Sequence, residues 1–325
     1  MATALSALLA TPSVTLAPHP TPVDDLVRLR ARLGSGCPRL LMKRDDLLSF
    51  GLGGNKVRKI QTVAAEAMAA GADTLVTCGG LQSNHARVTA AAGAALGLHV
   101  VLVLNGTGAA APTANARLDR LFGADVRLVA TREERAPAME RAAEDARAEG
   151  RRPFVVPLGA STPIGAIGFA LGVQEIVTAG LKPSVIVHAS SSAGTQAGMI
   201  AGAALFGMRA RIIGVSADET EAALSASVAA LLMAMADRLG AKAATIGADR
   251  AIEIDDRQVG AGYGEPTDAS IEALELVARS EGILLDPVYT AKAMAGLIAR
   301  VRAGAFAADD TVLFWHTGGQ VGFFA

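Results

Sequence analysis

The stretch 74–96, T-L-V-T-C-G-G-L-Q-S-N-H-A-R-V-T-A-A-A-G-A-A-L, decides the fold of this chain. Residues 74–77 are a short apolar run that reads as a buried strand, and Cys78-Gly79-Gly80 end it. A polar turn follows over 81–85, and an alanine-rich helical pattern over 86–96. Strand, polar turn and helix start make an anion site, because the first N–H groups of a helix lack partners and point outward. The same alternation extends both ways. Upstream, 39–43 reads as a strand and 57–70 as a helix stopped by Gly71. Downstream, strands at 99–104, 125–128, 154–156, 185–189, 211–215 and 312–315 alternate with helices at 113–122, 133–149, 169–179, 197–206, 220–239, 267–282 and 290–302, with a short extended piece at 252–254. This βα succession predicts an α/β fold of open, twisted parallel sheets flanked by helices. Ahead of it, four prolines in residues 11–22 predict an extended entry, and 24–33 a short helix with Thr21 as cap and Pro22 at its first position.

Length and composition bound the rest. A chain of 325 residues suggests two domains or one large α/β unit. With 51% hydrophobic and 19% charged residues it can bury a large core, and a formal charge of -1 without like-charge blocks gives no case for nucleic acid or an anionic membrane. Two cysteines, Cys37 and Cys78, make no disulfide framework and have no metal-ligand spacing with the five histidines. No basic n-region opens the chain and no long apolar run is free of charge or glycine, so a soluble, cytoplasmic protein without a metal is expected.

Chemistry is expected first in K-R-D-D-L-L-S-F-G-L-G-G-N-K-V-R-K, residues 43–59. Lys56 follows Gly53-Gly54-Asn55 at the mouth of a helix, where the dipole and neighbouring cations disfavour an ammonium. A neutral lysine amine is the nucleophile that joins a carbonyl cofactor. Taken alone, the stretch is read more simply as a solvated lysine at a helix start. A second strand, turn and helix start, S-S-S-A-G-T-Q over 190–196, offers hydroxyls and free N–H groups for a phosphate, although it lacks the lysine of a P-loop and the spacing of a dinucleotide fingerprint. A reactive lysine, two anion-binding turns and a terminal strand followed by His316-Thr317-Gly318-Gly319 together supply what a pyridoxal phosphate enzyme needs.

The motifs K-R-D-D (43–46), G-G-N-K-V-R-K (53–59), Q-S-N-H (82–85), S-A-G-T-Q-A-G (192–198), G-Y-G-E-P-T (262–267), L-D-P-V-Y-T-A-K-A-M-A-G-L (285–297) and H-T-G-G (316–319) resemble, in order and spacing, the D-cysteine desulfhydrase and 1-aminocyclopropane-1-carboxylate deaminase family, within the tryptophan-synthase-β-like group of pyridoxal phosphate enzymes (fold type II). The resemblance runs from about Thr11 to the C-terminus. It implies a large cofactor-binding domain from residues 1–59 and 164–325, a smaller α/β domain over 60–163, and pyridoxal 5'-phosphate between them. It implies Lys56 as the lysine that carries the cofactor and moves the substrate α-proton, and Asn84 at the ring hydroxyl. Gln82, Ser83, Asn84 and His85 are expected to grip the substrate, with its carboxylate at that turn. Lys59, Ser192, Ala193, Gly194 and Thr195 match the phosphate cup, and Tyr263 and Tyr289 flank the substrate.

Thr290 and Thr317 match positions where the cyclopropane deaminases carry glutamate and leucine and the desulfhydrases carry threonine. A carboxylate near the ring nitrogen strengthens the electron sink, and a hydroxyl supports less ring protonation. The threonine pair therefore favours β-elimination, with D-cysteine as leading substrate and L-cysteate or the cyclopropane acid as alternatives. A homodimer is expected. The different-class alternative is a carrier or amino-acid-binding protein that has lost catalysis. The family's G-G-S-N-x-x-G-x-x-G-Y is here G-A-S-T-P-I-G-A-I-G-F over 159–169, which puts the leaving-group pocket in question, and Ser191 replaces a common glycine.

Plainer roles are expected elsewhere. Arg44, Asp45 and Asp46 read as a structural charge cluster holding the Lys56 loop. Asp286 caps the turn before Pro287, and Cys78 is a small core residue. His188 is a buried neutral imidazole, His19 and His99 are surface or satisfied polar groups, and His85 and His316 order the site.

Overall fold

The computed structural model describes residues 1–107 and 112–325. Its strands are Val23–Asp25 (β1), Arg39–Arg44 (β2), Thr74–Gly80 (β3), His99–Asn105 (β4), Asp125–Val129 (β5), Pro153–Val156 (β6), Val185–Ser190 (β7), Arg211–Ser216 (β8), Glu253–Asp255 (β9) and Thr311–His316 (β10). They form two sheets, in the orders β1-β2-β10-β7-β8-β9 and β5-β4-β3-β6. Every pairing is parallel except β1 with β2.

The run T-V-L-F-W-H of β10 shows why the larger sheet is covered twice. Leu313 and Trp315 enter one apolar cluster with Phe169 and Ile186, whereas Val312 and Phe314 enter another with Val187 and Leu297. Alternate residues of a strand face opposite sides, so an unbroken apolar strand needs a helical layer on each. The smaller sheet repeats this. Leu75, Leu102 and Leu104 face one layer, and Val76, Cys78 and Val103 meet the alanines of the Arg135–Ala148 helix. Cys78 is thus a core residue. No helix among the described residues is long and apolar enough to cross a membrane.

Three local expectations change. Residues 23–25 pair antiparallel with Leu41–Lys43 rather than opening a helix, and the helix begins at Val27. The long-range ladder with β2 overrides local propensity. Thr21 is no helix cap, because its hydroxyl donates to Asp45 Oδ1 at 2.9 Å. An unanticipated helix, Ala2–Leu9, lays Ala4 and Leu8 against the same cluster as Trp315.

The helix Lys56–Ala69 runs unbroken through the expected division at residues 59 and 60, and its Val57, Ile60 and Val63 join the cluster under the smaller sheet. Its start is pinned by buried ions, as expected of the 44–46 cluster. Arg58 donates from Nε to Asp45 Oδ2 at 2.8 Å and from Nη2 to Asp45 Oδ1 at 2.7 Å, while Nη1 reaches Glu175 Oε1 at 2.6 Å. Trp315 Nε1 adds a bond to Asp45 Oδ2 at 2.8 Å, and the Asp45 carbonyl accepts from Gly54 N at 3.2 Å. Arg44 closes the cluster by a two-nitrogen contact with Asp46. Gly53 is required here: its φ is +79°, and a Cβ would stand 2.4 Å from the Leu48 carbonyl oxygen.

Candidate active site

The carboxyl ends of β3, β7, β8 and β10 converge on a cavity of about 200 Å³, where ligands bind in open α/β sheets. Of the residues predicted for the site, Lys56, Ser83, Asn84, His85, Ser192, Ala193, Thr195, Tyr263, Tyr289 and Thr317 line it.

Lys56 is the first residue of its helix and is partly exposed, at the cavity. Burial lowers its ammonium to about 8, against the opposing pull of Asp286. Burial is therefore the cause, and the neighbouring cations named from the sequence are not. The amine is 3.4 Å from Asn55 Oδ1, and Asn55 Nδ2 donates to Thr195 Oγ1 at 3.0 Å, which links the lysine loop to the 190–196 turn.

Lys59 lies behind the cavity wall and is fully buried. Among the described residues its ammonium meets only the Gly159 carbonyl at 3.3 Å and Ser161 Oγ at 3.5 Å. Burial, and then Lys56, push it well below the usual lysine value. A Cβ on Gly194 would stand 2.7 Å from this ammonium, and Ala193 sits at φ +64°, a conformation that costs a non-glycine residue energy. A buried lysine that faces a hydroxyl and a helix start, with no carboxylate against it among the described residues, has the chemistry to hold an anion.

In the 81–85 turn, Ser83 caps the Asn84–Leu96 helix by accepting from Ala86 N at 3.2 Å. Asn84 faces the cavity. His85 Nε2 is 2.7 Å from Thr77 Oγ1, whose single proton goes to the Val156 carbonyl at 2.6 Å, so Nε2 carries the imidazole proton. Burial holds His85 well below its usual value, and neutral, with Nδ1 an unpartnered acceptor. The His85 side chain therefore orders the turn through Thr77 and offers no donor to the cavity. Gln82 is a correction. Its side chain faces away from the cavity, with Oε1 accepting from Asn115 N at 3.0 Å.

Tyr263 and Tyr289 meet hydroxyl to hydroxyl, with ring centroids 5.8 Å apart edge to face. Burial raises both, so both phenols keep their protons at neutral pH. Thr317 lines the cavity, whereas Thr290 is fully buried and does not. Its hydroxyl donates to Asp286 Oδ1 at 2.7 Å. Asp286 also accepts from the backbone N–H groups of Val288, Tyr289 and Thr290, the capping role expected of it. Burial lowers His188 to about 4, which keeps it the neutral imidazole expected.

The altered 159–169 segment barely touches the cavity. Thr162 caps the Pro163–Thr178 helix, and Phe169 packs 5.2 Å from Trp315 in the core. Neither Thr162 nor Phe169, where the asparagine and tyrosine are missing, lines the cavity. Residues that the sequence did not flag sit at the mouth instead. Arg132 lies 4.9 Å over the Tyr263 ring and 3.7 Å from Asp218, and Arg135 and Glu219 are beside them. Asp218 lies just past the end of β8, a strand-end position that could have marked it. Arg132 lies in T-R-E-E-R, which reads as surface charge.

A doubly covered parallel fold, a near-neutral lysine at the cavity and a second, buried lysine against a helix start define an enzyme built on a phosphate-bearing carbonyl cofactor. A family model described as "Pyridoxal-phosphate dependent enzyme" matches residues 14–318, and the chain belongs to that family. Its cofactor is pyridoxal 5'-phosphate. The chain is 40% identical over 322 residues to a D-cysteine desulfhydrase of Klebsiella pneumoniae (strain 342), with 97% of this chain and 96% of that one covered. It is 40% identical over 324 residues to one of Salmonella typhi, with the same coverage. A solved structure described as an ACC deaminase homologue superimposes with TM-score 0.91 at 34% identity, over 100% of this chain and 97% of that one. A fungal L-serine ammonia-lyase from Rhizomucor miehei, at 17% identity and TM-score 0.68 over 95% of this chain and 96% of that one, shares the fold.

Proposed function

We propose that the protein eliminates the β-substituent of a small amino acid, and that its substrate is D-cysteine: with one water, D-cysteine gives pyruvate, ammonia and hydrogen sulfide. The observation that carries this reading is the near-full-length identity with D-cysteine desulfhydrases, joined to a threonine, Thr317, where the chain meets the cavity. When bound, the cofactor supplies an electron sink for the α-carbon. The chain supplies the rest. Lys56 holds the cofactor and, with a proton affinity near neutrality, takes the substrate α-proton. Ser83 and the N–H groups that open the Asn84–Leu96 helix hold the substrate carboxylate. In the tyrosine pair one phenol donates to the other, which leaves one proton to give to the departing sulfur. Lys59, Ser192, Ala193, Gly194 and Thr195 hold the phosphate, Asn84 the ring hydroxyl and Thr317 the ring nitrogen. Thr290 takes part only by fixing Asp286.

The test is 2-oxo acid release from D- and L-cysteine, L-cysteate, β-chloro-D-alanine, D-serine and 1-aminocyclopropane-1-carboxylate at equal concentration. D-cysteine should be the best of the amino acids with natural leaving groups. Exclusive turnover of the cyclopropane acid would overturn the elimination reading, and exclusive turnover of L-cysteate would overturn the substrate alone.

Lys59→Met should weaken pyridoxal phosphate binding roughly 10- to 100-fold, the effect of one lost charge-assisted hydrogen bond. Titration of the apoprotein with cofactor measures it, and unchanged affinity would remove Lys59 from the phosphate site. We further propose a cytoplasmic homodimer built from the two units, 1–59 with 164–325 and 60–163, sharing the Lys56–Ala69 helix. A monomer in light scattering would reject the dimer.

A further inference from the structure

Asn84 has a donor end and an acceptor end, and the function of its amide depends on which one faces the cavity. Behind it lies a buried chain of polar groups that decides this. Asn115, fully buried on the Ala114–Leu121 helix, donates from Nδ2 to Asn84 Oδ1 at 3.1 Å and to the Gln82 carbonyl at 2.8 Å. Its Oδ1 accepts from Arg87 Nη1 at 3.2 Å, and Arg87 Nη2 donates to the Gly53 carbonyl at 2.7 Å.

The direction of every bond in this chain is forced. A guanidinium has donors only, so Asn115 must turn its oxygen to Arg87. A backbone carbonyl has acceptors only, so Asn115 must turn its nitrogen to Gln82, and this second constraint agrees with the first. Asn115 then has a proton left for Asn84, whose oxygen accepts it. The Asn84 Nδ2 group is what remains for the cavity. Because Arg87 also grips Gly53, three residues before Lys56, the same cation ties the lysine loop to the amide.

We propose that Arg87 and Asn115 are positioning residues that polarise Asn84, so that it presents only a hydrogen-bond donor to the cofactor ring hydroxyl. This rests on the reading of Asn84 as the ring-hydroxyl contact and deepens it. A donor there draws charge from the ring oxygen and weakens its hold on the proton at the lysine linkage, so the visible band of the bound cofactor titrates at lower pH than it otherwise would. Losing the forced direction lets the amide turn its oxygen toward the ring oxygen, an acceptor against an acceptor.

The experiment is pH titration of the visible band of the purified, cofactor-loaded protein without substrate, for wild type, Asn84→Ala, Asn115→Ala, Arg87→Gln and the Asn84→Ala/Asn115→Ala double variant. Asn84→Ala should raise the midpoint by about one pH unit, the scale of one hydrogen bond to a charged group. Asn115→Ala and Arg87→Gln should raise it in the same direction by less, and the double variant should match Asn84→Ala. A midpoint moved by Asn84→Ala and unmoved by Asn115→Ala would overturn this inference while leaving the Asn84 contact standing. No movement with Asn84→Ala would overturn both. If Arg87→Gln does not fold, the Asn84 and Asn115 variants and their double decide the matter alone, because additive shifts would show that Asn115 acts elsewhere.

Discussion

Lys56→Ala is expected to cut turnover by about 10³-fold or more while leaving the fold intact, because it removes both the covalent attachment and the base. No other lysine at the site can stand in. Lys59 is sealed behind the wall by the Gly159 carbonyl and Ser161. Lys292 is buried, with its ammonium held by the carbonyls of Val259 at 2.8 Å and Gly262 at 2.9 Å. The variant should also lose the visible band of the holoprotein, and its thermal unfolding should stay near that of the wild-type apoprotein, since the amine's hydrogen bond is to the Asn55 amide and not to a carboxylate. A variant that keeps full activity would exclude Lys56 from the chemistry.

Asp45→Ala is expected to cost about 3–5 kcal/mol of stability, the usual result of removing one member of a buried ion cluster. Asp45 is fully buried and joins Arg58, Trp315 Nε1 and the Thr21 hydroxyl, so its loss leaves the indole N–H without its partner and the guanidinium with Glu175 as its one carboxylate among the described residues. Its carbonyl also holds Gly54, but a substitution keeps that backbone bond. Urea unfolding of the variant against wild type measures the cost. A loss below about 1 kcal/mol would mean that Glu175, which also contacts Arg58, suffices alone.

Both residues were legible in the sequence, for different reasons. The βα alternation carries a local hydrophobic signal in each element, so the sheets and most helices follow from it. Lys56 is marked by its glycine turn, and the 44–46 cluster by its charge in an apolar neighbourhood. Features that depend on distant partners were not legible. The β1 segment looks helical until β2 pairs with it, and Ala2–Leu9 has no side-chain cap to announce it. A motif places a residue at the site without saying where its side chain points. Gln82 turns to Asn115, 33 residues away, and Thr290 turns to Asp286. The departures at Thr162 and Phe169 looked like changes to the pocket and are instead a helix cap and a ring against Trp315. Asp218 and Arg132 reach the mouth from different sheets, a meeting that no local pattern records.

The most direct test is to reduce the cofactor-loaded protein with borohydride, digest it and locate the attached cofactor by peptide mass spectrometry. The mass should fall on the peptide containing Lys56, with Lys59 and Lys292 unmodified. Attachment at Lys59, or at no lysine in a protein that still turns over D-cysteine, would contradict the assignment of the chemistry to Lys56.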